Sequence, residues 1–86
     1  MTGIGYSQVA NNQLDRIEAT DPDLYADLAE LCEDILDAPH IARASASAIT
    51  TADGIVMRSA VPERWPYKIF WTLGGPRIEA VFPHGH

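Results

Sequence analysis

Tyr67-Lys68-Ile69-Phe70-Trp71-Thr72-Leu73-Gly74-Gly75-Pro76-Arg77-Ile78-Glu79-Ala80-Val81-Phe82 is the stretch that decides the fold. Two runs rich in aromatic and β-branched residues flank a Gly-Gly pair, the pattern of a β-hairpin. Taken as a two-residue turn, Gly74-Gly75 sets Trp71 opposite Ile78, Ile69 opposite Ala80 and Tyr67 opposite Phe82. Side chains alternate faces along a strand, so these six share one apolar face. The other face then receives Lys68, Phe70, Thr72, Arg77, Glu79 and Val81.

Upstream, Asp53-Gly54 reads as another hairpin dipeptide, and Ile55 to Val61 as a strand. A loop bracketed by Pro62 and Pro66 separates that strand from the decisive hairpin. If Met57 points to the core, Arg58 joins the polar face.

The first half carries helical spacing. Ala10, Leu14 and Ile17 recur on one face of a segment running from Ser7, a candidate N-cap, to about Glu18. Thr20-Asp21-Pro22-Asp23 is a helix start, with proline at the first helical position and acids near the positive end of the dipole. Leu24, Leu28, Leu31 and Ile35 continue that helix to about Leu36, ahead of Pro39. Two helices this close form an antiparallel hairpin. Thr2 to Tyr6 reads as a short first strand weakened by Gly3 and Gly5. The Ala-Ser alternation of residues 42–48 distinguishes neither helix, strand nor loop, and His40 reads as a solvent-facing loop residue. The expectation is one α+β domain over residues 1–86, a helical hairpin packed on a small antiparallel sheet.

Composition narrows the function classes. The net charge of −6 is unevenly spread: residues 1–45 hold nine acids and two bases, residues 46–86 three acids and four bases. The whole chain repels a phosphate backbone at long range, but its second half does not. The single cysteine, Cys32, reads as a small core hydrophobe and fits a reducing compartment. No basic, apolar leader opens the sequence and no apolar run reaches the roughly 20 residues of a membrane span, so a cytoplasmic location is expected. No metal-binding motif is present, and two histidines two apart, His84 and His86, do not make a metal site. Neither a metal nor another cofactor is expected. A frayed tail is the favoured reading of the two histidines, while an acid–base role stays open.

On the polar face, Arg58, Lys68, Arg77 and Glu79 surround Phe70. Two or three bases, a carboxylate and an aromatic ring suit a phosphodiester and a base. A sheet covered on one side also alternates apolar and polar residues with no ligand at all.

The order of elements and the last hairpin resemble the RelE/ParE toxin superfamily. Tyr6-Ser7-Gln8-Val9-Ala10-Asn11-Asn12-Gln13-Leu14 looks like that family's strand-to-helix entry, and Ile35-Leu36-Asp37-Ala38-Pro39-His40 like the end of its second helix. Tyr67-Lys68-Ile69-Phe70-Trp71 with Arg77-Ile78-Glu79-Ala80-Val81 looks like its characteristic hairpin, and His84-Gly85-His86 falls at its C-terminal basic segment. The resemblance implies the toxin of a toxin–antitoxin pair. RelE-type members cleave mRNA on the ribosome; ParE-type members act on DNA gyrase without nuclease chemistry. By position, Lys68 matches the catalytic Arg that stabilises the transition-state phosphate, Arg58 a base sharing that task, and His84 or His86 the acid or base. Arg77, Glu79 and Phe70 would contact the substrate. The implied partners are an antitoxin and mRNA on the ribosome, with no membrane. The alternative is a RelE/ParE-fold protein that acts by protein binding alone. The sequence departs from the pattern in having Lys68 for Arg, in ending at His86 before the tail that often carries a catalytic Tyr, and in its pI near 4.7.

Overall fold

The computed structural model describes residues 5–85. It is α+β: three helices precede a four-stranded antiparallel sheet. Of the expected first strand, residues 2–4 lie outside the described residues, and Tyr6 forms a single parallel bridge to Ile78.

Helix α1 spans Gln8–Thr20, with Ser7 as its extended N-cap. The Ser7 hydroxyl oxygen accepts from the Ala10 N–H at 3.0 Å, satisfying an orphan donor of the first turn. Helix α2 spans Pro22–Asp37, and Asp21 alone separates it from α1. The Asp21 carboxylate caps α2 through the Leu24 N–H at 3.2 Å, with Pro22 opening the first turn. Leu24, Leu28, Cys32 and Ile35 form its buried stripe. Pro39 disfavours helical geometry at Ala38, which ends α2. The same proline then starts a short helix α3, Pro39–Ala44, which the Ala-Ser pattern did not reveal. His40 is exposed as expected, but on this helix rather than in a loop.

The sheet is a meander of β1 (Ser47–Thr51), β2 (Gly54–Ala60), β3 (Tyr67–Thr72) and β4 (Arg77–Pro83) in spatial order β1-β2-β3-β4. Both expected turns differ in detail. At the first, only Gly54 adopts positive φ, and Thr51 pairs with Gly54 around Ala52-Asp53. At the second, Thr72 pairs with Arg77, so residues 73–76 form a four-residue connection.

A β-bulge corrects the expected facing of β4. Trp71 opposes Ile78, but Phe70 opposes Ala80 and Ile69 opposes Val81. Glu79 is the extra residue, and beyond it the alternation is reversed. Val81, expected on the polar face, is buried in the core, whereas Ala80 and Phe82 lie on the open face.

The core lies between the helices and the β3–β4 half of the sheet. Trp71, Ile69, Ile78, Leu28 and Ile35 are completely buried there. The Trp71 indole N–H donates to the Ser59 hydroxyl at 3.0 Å, so the ring is buried without an unpaired donor. On the same face, the β1–β2 half is left bare. Ala48 and Thr50 are exposed beside Met57, and Ile55 is 62% exposed.

Candidate functional site

The open face of the sheet is built in rows by strand register. One row is Ser47, Arg58, Phe70 and Ala80; the next contains Ala60, Lys68 and Phe82. The bulge brings Phe82 onto Phe70, with ring centroids 4.6 Å apart and planes only 10° from parallel. The His84 ring stands edge-on to both, at 5.6 Å from Phe70 and 6.2 Å from Phe82. Phe70, Phe82 and Arg58 are half-buried, so each offers surface to solvent. Sequence reasoning missed Phe82, because without the bulge it falls on the core face. The signal that could have found it is the chain of apolar residues through Ala80-Val81-Phe82, which no strict alternation explains.

Lys68 differs from expectation. It was expected to be exposed, to face a phosphate, but it is only 7% exposed. Its Nζ donates to the His84 carbonyl at 3.0 Å and to the Pro66 carbonyl at 3.5 Å. Burying a lysine head is costly unless its donors are engaged, and these two carbonyls take two of its three. The His84 N–H in turn donates to the Pro66 carbonyl at 2.7 Å. The segment after β4 is therefore fastened to the β2–β3 loop, which fixes the position of the His84 ring.

Arg77 and Glu79 form a second group near the β3–β4 turn. Arg77 Nε lies 2.8 Å from Glu79 Oε2 and its Nη2 3.0 Å from Oε1, a two-pronged pair. The Thr72 hydroxyl adds a 3.2 Å bond to the same carboxylate. The Arg77 hydrogen bond holds the Glu79 carboxyl below its ordinary range, and the same pair raises the Arg77 guanidinium. Arg77 pairs with Thr72, four positions along β3 from Lys68, about 13 Å at the rise of a strand. The structure therefore joins Arg58, Phe70, Lys68 and His84, and it sets Arg77 and Glu79 apart as a self-satisfied pair. His86 lies outside the described residues.

Cys32 is completely buried, and burial pushes its thiol up to about 12. It is a core residue, not a nucleophile. No group of three or more His, Cys, Asp or Glu side chains among the described residues converges as metal ligands. No helix among them is long and apolar enough to cross a membrane.

The open face can present a stacked aromatic pair to a base, with a guanidinium on the adjacent strand within the same row for a phosphate. No protein-family model matches this chain, and neither a curated protein nor a solved structure shows significant similarity to it.

Proposed function

We propose that this chain is a RelE/ParE-type toxin domain that binds single-stranded RNA on its open sheet face, cleaves it there, and is neutralised by an antitoxin. The observation that carries this reading is the cluster of Phe70, Phe82 and His84 beside Arg58 and above Lys68. In such chemistry the 2′-hydroxyl of the RNA attacks its own neighbouring phosphate. The new O–P bond forms as the bond to the 5′-oxygen breaks, and that oxygen takes up a proton. Phe70 and Phe82 would hold a base and so fix the sugar and phosphate for in-line attack. Arg58 would stabilise the charge on the phosphorane. The His84 imidazole would exchange a proton with the attacking or leaving oxygen. Lys68, with its Nζ engaged by two carbonyls, fits a positioning role for the His84 segment rather than contact with phosphate.

A second reading is favoured by that same engagement of Lys68. A RelE/ParE-fold protein acting only by protein binding, as ParE-type toxins do on gyrase, needs no lysine on the phosphate. Induced expression in bacteria separates the two. Growth arrest with mRNA cleavage, both lost in a folded Arg58→Ala variant, supports the nuclease. Arrest with intact mRNA supports the binding protein. A folded, expressed wild type with no effect on growth overturns the toxin reading in that host.

A further inference from the structure

The opposite side of the sheet carries a trough that the sheet-face reading does not use. Between α2, α3 and β2 lies an open cleft of about 550 Å³ lined by Leu31, Ile35, Ala38, Ile41, Ala42 and Ser59. It is continuous through Leu31, Asp34 and Pro62 with a second cleft of about 510 Å³, between α2 and the β2–β3 loop. Ile41, on the lip, is 76% exposed and carries the apolar lining of the cleft out to the surface.

The rim is acidic. Asp34 and Asp37 border the first cleft, and Asp27, Glu30, Asp34 and Glu63 the second. Arg64 is spent on Asp27, at 2.7 Å. Glu30, Asp34, Asp37 and Glu63 have no ion-pair partner among the described residues. Arg43, the other base on this side of the chain, sits on α3 outside both linings. The trough also opens where the helical layer stops short of the sheet, at the end of β2 that carries Ser59 and Ala60. An apolar floor, an uncompensated acidic rim and a gap in a helical layer together define one kind of occupant.

We propose that this trough binds an amphipathic helix of a partner protein, with an apolar stripe on the floor and Lys or Arg side chains along the Glu30–Asp34–Asp37 rim. The helix completes the layer that α1 and α2 begin over β3–β4. Apolar contact supplies the affinity, and the charges supply register and steering.

The test uses the full chain and a fluorescein-labelled 18-residue model helix of leucine and lysine, with leucine along one face. A second peptide replaces each lysine by glutamate. Fluorescence anisotropy is expected to give binding of the lysine peptide at least tenfold tighter than that of the glutamate peptide. Ile41→Glu and Asp34→Lys each weaken the lysine peptide at least tenfold, while Glu18→Lys on α1, with the same charge change as Asp34→Lys, weakens it less than threefold. Ile41 and Asp34 are exposed, so both variants keep the fold, which circular dichroism verifies. Amide shift changes confined to α2, α3 and β2 locate the peptide. Equal loss in Asp34→Lys and Glu18→Lys shows attraction by net charge alone and overturns the proposal. So do shifts on the open sheet face, or a concentration-dependent dimer that loses its contact in Ile41→Glu and so identifies a second copy as the occupant. None of these outcomes depends on RNA cleavage, so this proposal and the sheet-face reading stand or fall separately.

Discussion

The two edges of the sheet are finished in opposite ways. Along β4, the Ile78 N–H donates to the Gly5 carbonyl at 2.6 Å, and the Ser7 N–H returns a bond to the Ile78 carbonyl at 2.8 Å. The Ser7 hydroxyl donates to the Glu79 carbonyl at 2.6 Å, and the Val81 N–H donates to the Gln13 side-chain oxygen at 2.6 Å. Along β1, five uncharged residues form the last strand, and no comparable bond reaches its outer edge among the described residues. Edge strands invite pairing with other chains unless they are covered or charged. The covered edge is the one next to α1, which can lend it polar side chains. The bare edge lies past the end of the helical layer, beside the trough. Stability is therefore concentrated in β3–β4, and free surface in β1–β2.

The sharpest way to break this comparison is a pair of truncations, one in each half. Trp71→Ala is expected to lower unfolding free energy by about 3–5 kcal/mol, whereas Ile55→Ala changes it by less than about 0.5 kcal/mol. Urea unfolding curves check both, and similar costs for the two would mean that the halves are equally packed. Next in size is Gln13→Ala, which leaves the Val81 N–H without its acceptor. The expected loss is about 1–3 kcal/mol, with faster amide exchange at Val81. Ser7→Ala follows, at about 1 kcal/mol for the lost helix cap, read from the shift in urea midpoint. An unchanged midpoint would mean that Ser7 does not join α1 to β4 in solution.

Much of this fold was legible. Apolar spacing in residues 10–17 and 24–35 reported the two long helices, because a period near 3.6 has one buried face. Asp21-Pro22 marked the start of α2 through local capping chemistry that needs no tertiary context. Helix α3 was not legible, since Pro39–Ala44 contains no buried residue and so no periodic stripe. The candidate site was half legible. Arg58 and Phe70 followed from strand alternation alone. The burial of Lys68 did not, because one of its partners, the His84 carbonyl, is 16 residues away in sequence. Nor did the placing of Phe82, which depends on one residue without a cross-strand pairing partner.

Glu79, which has no cross-strand pairing partner, sets the parity of everything after it. The chain from Ala80 to Pro83 is an alternating code whose meaning depends on whether the count before it is odd or even. Delete one position and the code inverts: Val81 is read outward, Phe82 inward, and the aromatic stack on Phe70 is erased. The open face is thus written less in the identity of its aromatic residues than in a count, and indels at the bulge, between Ile78 and Ala80, are the mutations to which it is most sensitive.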